Sequence, residues 1–282
     1  LIRVRFPDLC EHVLPLKAPM EVAAMLAREA AVQETGYPPG EVGGFFLSPC
    51  AAKVTAVRVP IGVDRSNVDG VLAISDIHGN LPFLKGVLAA AHYGPDDILV
   101  LVGDLVDEWS GTEYLRPLLK GLVEIAPVYY VTGNHEWAAG VVRELEPLLE
   151  QCGVTVLSNE YVMLERNGDR IALLGAEDSN GYADQKTVQE LADQVRQEQG
   201  AVYEILLSHR NNHYEQYTQA RVDLTLAGHA HGGLIRLPGT DGLVGPKREL
   251  FPQYTAGLYD LSYGQMVVSR GLGNQFPCLP GF

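Results

Sequence analysis

The chain has 282 residues, 46% hydrophobic and 20% charged, so it is longer than one typical domain and has ample apolar content for a packed core; this excludes a disordered or low-complexity protein. Its net charge of −14 is unevenly spread: residues 1–73 hold seven Lys/Arg against eight Asp/Glu, the remainder fourteen against twenty-seven, and so acidic a region repels nucleic acid, which is not expected as a partner. No uninterrupted apolar stretch reaches the about 18 residues of a transmembrane segment, and four scattered cysteines without a regular framework fit a reducing compartment.

From the N-terminus, Pro19 followed by residues 20–35 predicts a helix, with Val22, Ala23, Leu26 and Ala30 at helical spacing and Gly36 as a stop. Residues 45–47 and 54–59 predict strands. The apolar runs 71–75 and 98–102 have the length of strands buried on both faces, and between them 81–93 predicts a helix, with Pro82 in its first turn and Gly94 beyond its end. A helix over 112–122, a strand over 128–132 and a helix over 139–151 follow. Residues 161–165 and 170–174 flank Asn167-Gly168, the signal of a two-residue hairpin. A helix over 183–199 and apolar runs at 205–207 and 224–227 complete an alternating α/β pattern in which parallel and antiparallel strands are mixed. From Gly232 to Gly257 the chain turns rich in Gly and Pro, which lets backbone approach a site closely.

Five of the apolar runs lead directly into short polar motifs: Asp76-Ile77-His78, Gly103-Asp104-Leu105-Val106-Asp107, Gly133-Asn134-His135-Glu136, Ser208-His209 and Gly228-His229-Ala230-His231. Loops at the carboxyl ends of strands form the ligand crevice of α/β sheets, so these motifs can converge. Each alone has a plainer reading. A lone Asp-x-His is an ordinary surface or core pair, Gly-Asp-x-x-Asp a turn, and Gly-Asn-His-Glu a helix N-cap with Asn supplying the capping oxygen. Gly-His-Ala-His is more specific, because His229 and His231 point the same way along an extended chain. In conjunction, carboxylate, carboxamide and imidazole donors without thiolate form a ligand set for two divalent cations.

These motifs, in this order, resemble the calcineurin-like metallophosphoesterases, and more closely a small bacterial branch with the ending Gly-His-Ala-His-Gly-Gly, over about residues 72–273. The resemblance implies an α/β, four-layer metallophosphoesterase sandwich, two mixed β-sheets flanked by helices. It implies that Asp76, His78, Asp104 and His231 hold one metal and that Asp104, Asn134, His209 and His229 hold a second, with Asp104 bridging. His135 matches the family's non-ligand histidine, which contacts the phosphoryl group or the leaving oxygen, and Asp107 is implied to orient it. The cofactors implied are two divalent metal ions, Mn, Fe or Zn. The reaction implied is in-line attack on phosphorus by a metal-bridging hydroxide, available near neutral pH because coordination lowers the pKa of water.

A phosphomonoesterase acting on a small phosphoester or a phospholipid-like substrate is the first expectation, and a pyrophosphatase on a nucleotide-linked lipid or sugar the alternative. Ser/Thr protein phosphatases continue the second motif with Arg-Gly, where this chain has Glu108-Trp109. The missing arginine argues against a phosphoprotein phosphatase. Arg210, next to His209, is the candidate replacement for binding substrate, with a surface arginine as the plain alternative. The loop containing Pro246-Lys247-Arg248 is expected to border the substrate. The expected location is cytoplasmic or membrane-peripheral in a bacterium.

Residues 1–73 carry a different resemblance. Arg5-Phe6-Pro7, Ser48-Pro49-Cys50-Ala51-Ala52-Lys53, Pro60-Ile61-Gly62 and Ser66-Asn67-Val68-Asp69-Gly70 resemble a fragment of the iron-only hydrogenase catalytic domain, which makes an iron-sulfur or redox module the second alternative. A four-iron cluster needs four thiolates or close substitutes. Of Cys10, Cys50, Cys152 and Cys278 only Cys50 lies in a matching motif, so no iron-sulfur cluster is expected and Cys50 reads as a small packed residue. The two resemblances meet around residues 67–77. The expected organisation is an extra N-terminal α/β segment over 1–70, non-catalytic and joined near residue 70, followed by a metallophosphoesterase domain over 71–282 whose final strand is cut short.

Overall fold

The computed structural model describes residues 71–80, 97–106, 114–166, 169–233, 235–236, 242–246 and 248–272, with Leu84, Thr112 and a few positions before 70. Among those few, Gly44–Phe45 pairs in parallel with Val68–Asp69, and Ala30, Val32 and Gln33 are helical. The strand expected at 54–59 and the hydrogenase-like cysteine motif lie outside the described residues, as does most of the helix expected at 81–93.

Two sheets build the rest. β1 (Val71–Ile74), β2 (Ile98–Val102), β3 (Val128–Val131) and β4 (Thr155–Val156) form a sheet in that order, with every described pair parallel. The second sheet contains β5 (Glu160–Arg166), β6 (Asp169–Ala176), β7 (Tyr203–Arg210) and β8 (Leu224–Gly228). A small ribbon, β9 (Ile235–Arg236) against β10 (Gly242–Val244), precedes its last two strands, β11 (Gly257–Asp260) and β12 (Gln265–Val268). Its order is β11-β12-β8-β7-β6-β5, parallel in the middle and antiparallel at both edges. The hairpin expectation holds: Arg166 pairs with Asp169 across Asn167-Gly168. Mixed pairing is thus a property of the second sheet.

Alternation along each strand decides the layers, because successive side chains point to opposite faces. Val100, Val102 and Val131 of one sheet meet Leu173, Ile205, Leu207, Leu224 and Leu226 of the other in an apolar layer between the sheets. The alternate residues face outward. Leu99, Leu101, Val128 and Tyr130 pack under α1 (Leu115–Val123) and, after the short α2 (Asn134–Ala139), under α3 (Val142–Gln151). Ala172, Leu174, Leu206 and Ala227 pack under α4 (Val188–Gln199) and α5 (Tyr214–Ala220). The result is helix, sheet, sheet, helix. Each outer helix buries one stripe, as Leu115, Leu118, Leu119 and Leu122 do on α1.

Helix ends differ from expectation for local reasons. The helix expected over 139–151 is interrupted: Gly140, left-handed at φ 70, closes α2, and Val141 restarts the chain into α3. α4 begins at Val188 because Thr187 caps it, its hydroxyl accepting from the Glu190 N–H while the Glu190 carboxylate accepts from the Thr187 N–H. Among the described residues no helix is long and apolar enough to cross a membrane.

Candidate metal centre

The ends of β1, β2, β3, β7 and β8 bring the five motifs to one place. Asp104 lies at its middle. Its Oδ2 is 3.1 Å from His209 Nε2, 3.8 Å from His78 Nε2 and 4.0 Å from His135 Nε2. On one side Asp76 Oδ1 lies 3.3 Å from His231 Nε2, itself 3.3 Å from His78 Nε2. On the other, Asn134 Oδ1 lies 3.1 Å from His209 Nε2, and the His229 ring is 5.1 Å from that of His209. Potential ligand atoms of Asp76, His78 and His231, and likewise of Asp104, His209 and His229, lie within 4.8 Å of one another. His78, Asp104 and His135 meet the same limit, so His135 stands close enough to ligate as well as to donate a proton. Asp107 lies outside the described residues.

The donor atoms fit divalent cations. Asp104 Oδ2 is buried, and His209 Nδ1 donates to the Val102 carbonyl at 2.9 Å, which aims Nε2 at Asp104 Oδ2 and Asn134 Oδ1. Three electron pairs then face one point, an arrangement that needs positive charge between them. In the metal-free chain a proton serves: burial alone would lower the His209 pKa, yet the Asp104 and Asp76 carboxylates push it up to about 10. Two further imidazoles, His78 and His229, are kept neutral and ready to ligate. Burial lowers His78 to about 4 and His229 to about 2, the latter helped by the positive charge of His209 and Arg210. Imidazole, carboxylate and carboxamide without thiolate suit divalent transition-metal ions.

Backbone strain marks the same residues. Asp76, His78, Asp104, His229 and His231 all have φ between 45° and 67°, half of the ten described non-glycine residues in that region. Such conformations cost on the order of 1–3 kcal/mol each and persist only where surroundings over-determine them. Here the β1–β2 ladder continues past both strands: Asp76 N–H donates to Gly103 O, His78 N–H to Asp104 O and Gly79 N–H to Leu105 O. Asp76 in turn accepts from the His229 N–H with both oxygens at 3.1 Å, and from the Ser75 hydroxyl. At Gly133 the reason for glycine is proximity, since a Cβ there would stand 2.2 Å from Asp104 Oδ1.

Gly-Asn-His-Glu does start a helix, but the cap is Gly133, and the Asn134 oxygen faces His209 instead of the helix. Two residues in the site had no role assigned from sequence. Glu136 is wholly buried, and its carboxylate accepts the Gly133 N–H at 2.7 Å, the Asp104 N–H at 3.0 Å and the Val106 N–H at 3.1 Å, tying the second and third motifs together. Burial, then the Asp104 charge, raises its pKa to about 7 against the pull of those N–H groups. Asp178, two residues beyond β6, holds Arg210 by Nε at 2.6 Å and Nη2 at 2.9 Å, while Arg210 Nη1 lies 3.3 Å from His229 Nε2. Arg210 is therefore at the site and only 13% exposed. The signal was available for Asp178: Glu177-Asp178 follows an apolar run just as the five motifs do.

The sequence profile of the calcineurin-like phosphoesterases matches residues 70–233, more than half of the chain. The chain belongs to that family. Among relatives of this phosphoesterase are the uncharacterized metallophosphoesterase YkuE of Bacillus subtilis, 27% identical over 240 residues and covering 81% of each chain, and Phosphodiesterase YaeI of Escherichia coli, 23% identical over 264 residues and covering 89% of this chain and 94% of its own. Among solved structures, TT1561 of Thermus thermophilus aligns over 72% of this phosphoesterase and 89% of that chain with 14% identity and a TM-score of 0.47. The family makes this chain a metal-dependent phosphoester hydrolase.

Proposed function

We propose that the protein is a two-metal phosphomonoesterase, with Asp76, His78, Asp104 and His231 around one cation and Asp104, Asn134, His209 and His229 around the other. The observation that carries this reading is Asp104 Oδ2, buried between two groups of imidazoles, 3.8 Å from His78 Nε2 on one side and 3.1 Å from His209 Nε2 on the other. When bound, two divalent cations supply Lewis acidity at the phosphoryl oxygens and a water acidified toward neutral pH. The chain does the rest. Glu136 fixes the backbone of Asp104 and Gly133, so the carboxylate and the Asn134 amide keep their separation. The His135 N–H donates to Asp104 Oδ1 at 2.9 Å, which places its ring, 21% exposed, at the open side of the site; there Nε2 protonates the departing oxygen. A monoester dianion gains more from such a concentration of positive charge than a singly charged diester does.

A second reading, phosphodiester hydrolysis, is favoured by the name of the Escherichia coli relative, Phosphodiesterase YaeI. Phosphate release from nitrophenyl phosphate against nitrophenol release from bis-nitrophenyl phosphate, screened with Mn, Fe and Zn, separates the two. Turnover of the diester alone overturns the monoesterase reading, and turnover of neither overturns both. For residues 1–70 we propose a segment that adds nothing to catalysis, on the ground that every proposed ligand lies at or beyond Asp76.

A further inference from the structure

Strand register brings three side chains into a row. Ala176 of β6 pairs with Ser208 of β7, and the same offset two residues further sets Asp178 beside Arg210; on the other flank Arg210 pairs with Gly228 of β8, next to His229. The Asp178 carboxylate is completely buried and takes two N–H groups of the guanidinium side-on. It is held in turn: its own N–H donates to Thr132 Oγ1 at 3.1 Å, and its Oδ1 also accepts the Asn180 N–H at 2.9 Å. Arg210 is anchored through its carbonyl, which accepts from the buried Tyr217 hydroxyl. A flexible cation has thus been fixed in plane and direction, with only its Nη1 edge turned to the metal centre, 3.3 Å from His229 Nε2. Buried ion pairs give a fold little net stability, so a structural tie alone does not explain why the guanidinium plane is fixed with its Nη1 edge, hydrogen-bonded to His229 Nε2, turned to the metal centre.

We propose that Arg210 donates from Nη1 to a phosphoryl oxygen of the substrate on the His229 side, and that Asp178 is the positioning residue that holds its guanidinium for this. The proposal rests on the phosphoesterase reading for the identity of the oxyanion. A planar fork held by a carboxylate cannot swing to follow the substrate, so the donor is in place before phosphate arrives and costs no reorganisation. Lysine, a point charge on a flexible stem, cannot be held this way.

The test uses the full chain loaded with Mn, its metal content measured, and inorganic phosphate as the probe in calorimetry, beside turnover of nitrophenyl phosphate. Arg210→Gln leaves a buried carboxylate unpaired and can fail to fold; the pair Arg210→Gln with Asp178→Asn keeps two neutral hydrogen-bonding groups in the same space. The pair should bind phosphate about 10- to 100-fold more weakly, the loss of one charge-assisted hydrogen bond, with both metals retained. Asp178→Asn alone should lose roughly 3- to 10-fold, since the charge remains but its plane is released, and Arg210→Lys should not recover the wild-type affinity. Wild-type phosphate affinity in the metal-loaded pair overturns the proposal and makes Asp178–Arg210 a structural tie. Loss of metal in the pair also overturns it, because Arg210 would then act through His229. If Asp178→Asn matches wild type while the pair does not, the positioning role of Asp178 is wrong. A wild type that binds phosphate through Arg210 yet hydrolyses no phosphoester refutes the function reading and leaves this one standing.

Discussion

Replacing Glu136 by Gln changes one buried atom and tests how the centre is held. The native carboxylate serves three backbone N–H groups, two at Oε2 from Gly133 and Asp104 and one at Oε1 from Val106. A glutamine can place its oxygen at Oε2 and keep two of these bonds without their charge assistance; its NH2 then faces the Val106 N–H, donor against donor. Leaving that buried N–H without an acceptor costs about 1–3 kcal/mol, and the weakened bonds add to it. Removing the charge also relieves its repulsion of Asp104, which offsets part of the loss. A net destabilisation of about 1–3 kcal/mol remains, equivalent to a melting temperature lowered by roughly 5 °C in a fold of this size. Thermal melting of the metal-free protein measures the first effect. Metal content after dialysis against a fixed Mn concentration measures the second, because Asp104 and the Asn134 loop lose their common anchor, and occupancy should fall. A variant that melts with wild type and binds both metals equally well refutes the argument that Glu136 organises the centre.

Asp104→Asn should lose both metal occupancy and turnover, because one anion is asked to hold two cations together; two metals retained with full activity would remove the bridging assignment. His135→Ala should keep both metals and slow alkyl phosphates far more than nitrophenyl phosphates, whose leaving oxygen needs little protonation. Equal slowing of both substrates would give His135 a positioning role, and loss of a metal would make it the ligand that its 4.0 Å approach to Asp104 allows. Removing residues 1–68 should leave turnover per metal-loaded chain unchanged, measured beside metal content. A collapse of turnover while the remainder stays folded would mean that the first segment contributes to the site.

By itself the sequence determined the strands that lead into the five motifs, while the strands at 155–156, 257–260 and 265–268 carried no such signal. The run 98–102 is apolar at every position and 224–227 at all but Thr225, and both are of strand length, so their burial on both faces, and the placing of the polar motif that follows at a strand end, could be read without coordinates. The hairpin at Asn167-Gly168 was legible for a similar reason, since a two-residue turn fixes its own register. What only the tertiary structure decided is everything that depends on which strands are neighbours. Nothing local in Asp178 says that it faces Arg210; that follows from β6 lying beside β7 in one register, as the place of Arg210 beside His229 follows from β8 on the other side. Glu136 reads in sequence as the last letter of a motif, and becomes an anchor only because β2 and β3 set the Asp104 and Gly133 N–H groups around it. The positive φ of Asp76, His78, Asp104, His229 and His231 is likewise invisible in the chain, because no residue type among them prefers it strongly; it is imposed by hydrogen bonds between neighbouring loops, which exist only once the sheets have formed.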